Sequence, residues 1–180
     1  KMNTMVKSVD DNLGNYRIPE AARALQEFVD DMSNWYVRRC RDRFWAKGME
    51  QDKVNAYMTL YTALVTVCKA AAPMIPFMTE EIYQNIVRSV DASAKESIHL
   101  CDFPVYNAEQ VDEKLEADMD LVLKIVVLGR ACRNGAAIKN RQPIGQMYVK
   151  AEASLPDYDE AIILDELNVK NITFTDDVSN

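Results

Sequence analysis

Helical periodicity, interrupted at only a few points, is the feature that most constrains the fold of this chain. Five glycines and six prolines are spread over 180 residues, too few for a loop-rich or all-β protein. Between them, apolar residues recur at i, i+3, i+4 and i+7, the spacing that lines one face of an α-helix. The pattern therefore predicts a mainly α chain built from long helices.

Glycine and proline residues set the predicted ends of five helices. The first helical pattern ends at Gly14, and the second begins with Pro19 in its first turn and runs on to Gly48. Three further helices are predicted over about 52–72, 76–90 and 108–137. The first pattern starts at Lys1 without a capping residue, which leads us to expect a piece of a longer protein.

Side chains at helical spacing in the 52–72 helix, among them Tyr57, Met58 and Tyr61, are expected in the core. After the fifth helix the apolar period changes from helical to alternating. Met147 and Val149 alternate with polar residues, and a short helical pattern separates them from a second alternation at Ile172. Strand, helix and strand at this spacing predict a small parallel βαβ unit. The expected fold is an antiparallel helical bundle over 1–140 followed by a small α/β appendage over 141–180.

Cysteine and histidine usage argues against a metal site and against a catalytic triad. The four cysteines lie about 30 residues apart, which fits neither a CxxC pair nor a disulfide framework, so we expect reduced, mostly packed thiols. His99 is the single histidine. No Gly-x4-Gly-Lys loop is present, so no nucleotide cradle, no catalytic residue and no metal ligand is assigned. No apolar run approaches the ~20 residues of a membrane span, so the cytoplasm is expected.

Charge is distributed unevenly along the chain. The net charge is −7, yet residues 34–48 carry five basic side chains and one acid, and residues 124–150 carry six basic side chains and no acid. Local fields steer a polyanion more effectively than the total charge does. Two basic segments on an acidic chain are therefore compatible with a nucleic-acid partner.

The first basic segment lies near the end of the second predicted helix. At ~100° per residue, Asn34, Arg38, Arg41 and Trp45 form one narrow stripe directed away from the apolar face. Guanidinium groups bind phosphates, an amide reads base edges and an indole stacks on bases. The stripe suits single-stranded nucleic acid, and an ordinary solvated basic face remains the alternative. The candidate RNA-binding residues here are Asn34, Arg38, Arg39, Arg41 and Trp45.

The second basic segment spans the end of the fifth helix and the loop after it. Arg133, Lys139 and Arg141 are the candidate RNA-binding residues in this segment. Basic side chains near a helix C-terminus also have a structural use, since they cap carbonyls and offset the helix dipole. That explanation covers Lys139 and Arg141 less well, because both lie beyond the predicted end of the helix.

Several stretches resemble one known family, in the same order along the chain. Residues 22–45, with the core Asn-Trp-Tyr-Val-Arg-Arg, resemble the anticodon-binding helix of isoleucyl-tRNA synthetases. Residues 72–85, 138–143 and 164–170 resemble the stretches that follow it. The Pro-Phe-x-x-Glu-Glu motif within 72–85 is shared with the valyl, leucyl and methionyl enzymes. The resemblance covers nearly the whole chain.

This resemblance implies the anticodon-binding domain of a class I aminoacyl-tRNA synthetase. The catalytic signatures His-Ile-Gly-His and Lys-Met-Ser-Lys-Ser are absent, so this part of the enzyme is expected to be non-catalytic and to need no cofactor. The complete enzyme would use ATP and Mg²⁺. Implied partners are the anticodon stem-loop of tRNA(Ile) and the catalytic and editing domains of the same polypeptide. A valyl or other class I domain and a helical protein-interaction module remain alternatives.

Overall fold

The structure, a computed structural model, describes residues 1–151 and 155–176 of the chain. The described residues divide into two compact units, Lys1–Val111 and a second that begins at Asp112. The α-helices of the first unit are α1 (Met2–Gly14), α2 (Ile18–Asp31), α3 (Arg41–Trp45), α4 (Gln51–Ala71) and α5 (Pro76–Tyr83). The second unit contains α6 (Glu113–Gly135), β1 (Ile144–Val149), α7 (Asp157–Leu167) and β2 (Val169–Phe174). The predicted mainly α class is confirmed.

The core of the first unit forms where α1, α2 and α4 pack together. Small side chains at the end of α4 allow a close approach, and branched side chains of α1 fill the space. This cluster consists of Met5, Val6, Val9, Ala21, Leu25, Ala70 and Ala71. A neighbouring cluster joins α4 and α5 to the 3₁₀ turn Ile98–Leu100, with Tyr83 and Ile98 buried at its centre.

The second unit contains the predicted βαβ arrangement. Strands β1 and β2 pair in parallel, with Ile144 opposite Val169 and Tyr148 opposite Thr173. Helix α7 follows β1 and precedes β2, and it packs against α6. The domain boundary at residue 140 remains a prediction. None of the helices within the described ranges is both long and apolar enough to cross a membrane.

The second predicted helix is not continuous, which corrects the sequence-based expectation. Helix α2 passes into a π-helical stretch over Met32–Val37, and the helix is interrupted at Cys40 before α3 begins. The interruption contains neither glycine nor proline, so local propensity does not signal it. Gly48, with φ of +78°, does lie beyond the last helical residue as expected.

The expectation that Tyr57 and Met58 of α4 lie in the core is also wrong. Tyr57 and Met58 are 43% and 54% exposed, and Tyr61 is half-buried. The helix instead buries small side chains, Ala56, Ala63, Cys68, Ala70 and Ala71. Small residues bring helices close together, and the larger side chains are then left at the edge of the contact. The fifth predicted helix begins at Glu113, because residues 108–110 form a separate 3₁₀ turn.

Candidate nucleic-acid interface

The segment that carries the predicted stripe is anchored to α4 by aromatic side chains. The Tyr36 hydroxyl donates to the carbonyl of Ala56 at 3.0 Å, and the Tyr57 hydroxyl donates to the carbonyl of Phe44 at 3.3 Å. Phe44 is buried, and its ring lies 5.0 Å from that of Tyr57. These contacts fix the π-helical stretch and α3 against one face of α4.

Arg43 adds a polar anchor beside the aromatic one. Its Nε and Nη2 donate to the two carboxylate oxygens of Asp52, at 2.8 and 2.7 Å, and Nη1 lies 3.4 Å from the sulfur of Cys40. The hydrogen bonds from Arg43 lower the pKa of Asp52 below its ordinary value. Two parallel N–H···O bonds define orientation as well as distance. Arg43 therefore orients α3 on the N-terminal end of α4.

The predicted stripe lies on the opposite, exposed side of this segment. Asn34, Arg38, Arg39, Arg41 and Trp45 are all exposed, and Trp45 is 78% exposed. Wide solvent exposure of an indole leaves a flat surface available for stacking. The structure thus presents these side chains to solvent, as the helical wheel predicts.

Two arginine–tryptophan pairs organise the exposed side. The Arg38 guanidinium lies 5.4 Å from the ring centroid of Trp35, and the Arg41 guanidinium lies 5.5 Å from that of Trp45. Nε of Arg38 also donates to the carbonyl of Asn34 at 2.8 Å. Cation–π contact holds each guanidinium over a tryptophan ring.

Trp35 is a functional candidate that the helical wheel missed. It falls outside the narrow stripe in an ideal α-helix, and the structure places it within the π-helical stretch. The spacing of Trp35 and Arg38 could have identified Trp35 from the sequence, because residues three apart meet on a helical surface. The same reasoning applies to Arg41 and Trp45, which are four apart.

The second basic segment lies in the other unit and contains two different kinds of side chain. Lys139 and Arg141 are exposed in the loop between α6 and β1. Arg133 is only 4% exposed, and its Nη2 donates to the carbonyls of Lys139 at 2.9 Å, of Asn140 at 3.1 Å and of Gln142. Arg133 therefore holds the loop that carries Lys139 and Arg141. The RNA-binding role predicted for Arg133 stays a prediction, and the structure shows this side chain buried.

Glu80, an acidic side chain of α5, has structural partners. Glu80 accepts hydrogen bonds from the Ser97 hydroxyl at 2.8 Å and from the Ile98 amide at 2.9 Å. Burial raises the pKa of Glu80, and these bonds with that from Gln84 outweigh it, so the pKa lies below its ordinary value. Within the described ranges, no three His, Cys, Asp or Glu side chains are grouped in a way that could hold a metal ion.

The chain belongs to the family of anticodon-binding domains of tRNA ligases, whose family model matches residues 1–149. Its curated relatives are more specific. It is 55% identical over 179 residues to the isoleucine–tRNA ligase of Clostridium novyi (strain NT) and 51% identical over 180 residues to that of Clostridium tetani (strain Massachusetts / E88). It is 45% identical over 176 residues to the isoleucine–tRNA ligase of Dehalococcoides mccartyi (strain CBDB1).

These matches cover 99%, 100% and 94% of this chain, and 17% of each relative. The chain therefore corresponds to the anticodon-binding part of much longer enzymes. The predicted resemblance to isoleucyl-tRNA synthetases is confirmed, and neither the valyl alternative nor the protein-interaction module is favoured.

Proposed function

We propose that this chain binds the anticodon stem-loop of tRNA(Ile) and positions that tRNA for aminoacylation by the catalytic domain of an isoleucine–tRNA ligase. Aminoacylation, which would use ATP and Mg²⁺, and editing would belong to other domains of the same cytoplasmic polypeptide. Membership of the anticodon-binding family supports this role. The observation that carries it is the two arginine–tryptophan contacts, Arg38 with the half-buried Trp35 and Arg41 with the exposed Trp45, on a segment anchored to α4.

The proposed contacts follow from the chemistry of each side chain. Arg38, Arg39 and Arg41 would neutralise loop phosphates, and Trp45 would stack on an unpaired base. No hydrogen bond to the Asn34 side-chain amide is found among the described residues, so this amide can read a base edge. On the second unit, Lys139 and Arg141 would contact the stem backbone, with Arg133 holding their loop in place.

Tryptophan fluorescence offers a direct test, because Trp35 and Trp45 are the two tryptophans of the chain. We would titrate the chain at low salt with two RNA stem-loops, one with the isoleucine anticodon and one that differs only in those three bases. Tighter binding of the first stem-loop is expected, with affinity falling steeply as salt rises, because neutralised phosphates release counterions.

Arg38→Ala should weaken binding by about 5- to 150-fold, which corresponds to the loss of one base or phosphate contact of about 1–3 kcal/mol. Its melting temperature should stay within a degree or two of the parent, since Arg38 is exposed. Arg23→Ala is the matched control, because Arg23 is also an exposed arginine, with its side chain 69% exposed on α2, and is not one of the stripe residues. Equal binding of both RNAs, or equal effects of the two substitutions, would overturn the proposal.

A further inference from the structure

A groove in the second unit lies between α6 and β1 and has a volume of about 510 Å³. Its α6 wall is apolar apart from Arg133 and includes Ile125 and Leu128, the second of which is 65% exposed. Its β1 wall includes Gln146, Tyr148 and Lys150. A groove of this size is large enough to receive a planar ring several atoms across.

The strand wall of the groove combines an aromatic surface with amide groups. Parallel register places Tyr148 opposite Thr173 and Gln146 opposite Asn171, so these side chains share one face of the sheet. The Tyr148 side chain is 64% exposed. Gln146 donates from Nε2 to the Thr173 hydroxyl at 2.8 Å, and within the described residues its bonds leave Oε1 able to accept.

The charge around the groove is positive. Residues 124–150 contain six basic side chains and no acid. Helix α7, which lies between β1 and β2 in the chain, contains five acids and no base. Neither β1 nor β2 contains an acidic residue. Two of these cations, Arg133 and Lys150, line the groove, whereas Arg130 is paired with Glu166 of α7 at 2.6 Å.

Arg133 supplies a second, independent indication of a negatively charged ligand. It lines the groove at 4% exposure, and its Nε and Nη1 are buried without a hydrogen-bond partner among the residues that the structure describes. Three carbonyl oxygens accept from its Nη2, and none of them carries a full charge. A buried guanidinium without a carboxylate partner leaves a positive potential in its surroundings, which favours a polyanion nearby.

We infer that this groove receives an unpaired base of bound RNA, with Tyr148 stacking on the base and Lys150 contacting a flanking phosphate. Apolar and aromatic walls suit the faces of a base, Oε1 of Gln146 suits an exocyclic amino group, and the surrounding cations suit the backbone. The inference rests on the proposed function and adds a second RNA-binding surface, in a different unit from the arginine–tryptophan pairs.

The test compares Tyr148→Ala with Tyr158→Ala. Tyr158 is a matched control, since it is 59% exposed on the acidic helix α7. Affinity would be measured by fluorescence polarisation of an end-labelled isoleucine-anticodon stem-loop, which does not depend on the tryptophans. Loss of one stacked base predicts about 5- to 150-fold weaker binding for Tyr148→Ala, little change for Tyr158→Ala and near-parent binding for Tyr148→Phe.

A fully paired duplex of the same stem sequence separates base stacking from phosphate binding. Tyr148→Ala should bind this duplex as the parent does, because no base is unpaired. Lys150→Ala should weaken the binding of both RNAs. It should also lower the number of counterions released on binding, read from the salt dependence of the affinity, by about one. Equal thermal melting of the variants would show that the fold is intact.

The outcomes distinguish this inference from the proposed function. If Arg38→Ala weakens RNA binding but Tyr148→Ala binds as the parent does, only the groove inference is overturned. An equal loss on duplex and stem-loop overturns it as well, since the groove would then hold no unpaired base. Absence of RNA binding by the parent chain overturns both proposals.

Discussion

The guanidinium of Arg43 binds the carboxylate of Asp52 through two hydrogen bonds, 2.8 Å from Nε to Oδ2 and 2.7 Å from Nη2 to Oδ1. Helix α3 has only five residues, too few to be stable by itself. Its orientation therefore depends on this pair and on the buried ring of Phe44. Because α3 carries Arg41 and Trp45, the geometry of the proposed RNA-binding surface depends on a contact outside that surface.

Asp52→Asn is expected to weaken RNA binding although it removes a negative charge. The substitution replaces a bidentate charged pair by a weaker amide contact and loosens the attachment of α3. Exposed pairs contribute little, so we expect an affinity loss of about two- to fivefold. Asp42→Asn is the control, because it changes the net charge equally at an exposed position of α3. If both substitutions tighten binding alike, the orientation role of Arg43 is wrong.

The Arg43–Asp52 pair makes the stability of the fold depend on pH, and the sign of this dependence follows from the lowered pKa of Asp52. A carboxyl group with a depressed folded-state pKa contributes its stability above the unfolded-state value, which is ordinarily 3.8, and loses it as the pH falls through the folded-state value. The difference in melting temperature between the parent and Asp52→Asn should therefore be constant near neutral pH and disappear in acid. Calorimetry across this range measures it.

Arg133→Ala is expected to destabilise the second unit, whereas Arg141→Ala leaves it unchanged. Arg133 is buried and donates to three loop carbonyls, and Arg141 is exposed. Hydrogen bonds from a charged donor contribute about 1.5–3 kcal/mol, so a loss of about 2 kcal/mol in the free energy of unfolding is expected. Hydrogen exchange of the α6 amides measures this loss of stability. Tryptophan fluorescence would not report on the second unit, because both tryptophans lie in the first unit. Equal protection in both variants would contradict the structural role of Arg133.

The sequence predicts the elements that simple local signals define. Gly14 and Pro19 mark the turn between α1 and α2, and the change of apolar period after the fifth helix predicts β1, α7 and β2 in order. The exposure of Arg41 and Trp45 also follows from helical spacing. These features depend on neighbours within one or two turns, which a single sequence contains.

Features that depend on tertiary contacts were not predictable in the same way. The interruption at Cys40 has no local breaker and coincides with the aromatic contacts to α4. Tyr57 lies at core spacing, but the closer approach of alanine side chains leaves it 43% exposed. Arg133 sits in a typical helix-capping position, and its burial depends on how the following loop returns over it.

Gly129→Ala is expected to destabilise the contact between α6 and α7. A Cβ added at Gly129 would lie 2.4 Å from Cδ1 of the buried Leu167. Overpacking costs about 1–3 kcal/mol and alanine gains at most about 1 kcal/mol in helix propensity, so a net loss of about 1 kcal/mol is expected. Gly135→Ala is the control, since nothing lies within 4 Å of its added Cβ. Loss of α7 protection in hydrogen exchange should occur only in Gly129→Ala.

The carboxyl group of Asp159 is buried without a hydrogen-bond partner in the described part of the chain, and the residue that precedes α7 supplies a reason. Asp159 is the third residue of the helix, where an acidic side chain commonly accepts from the amide of the N-cap residue. Here the N-cap is Pro156, which has no N–H. Burial and the neighbouring Asp118 raise the pKa of Asp159, while Lys114 opposes the shift.

Asp159→Asn is therefore expected to stabilise the second unit at neutral pH and to do less in acid. A carboxyl group whose folded-state pKa is raised stabilises the fold only while protonated, and that stability is lost as the pH rises through the folded-state value. The neutral amide avoids the cost of burying a charge, so we expect a gain of about 1 kcal/mol near neutral pH. Asp157→Asn, exposed in the same helical turn, is the control. Hydrogen exchange of α6 and α7 at several pH values measures the difference, and a gain that grows in acid would contradict the raised pKa.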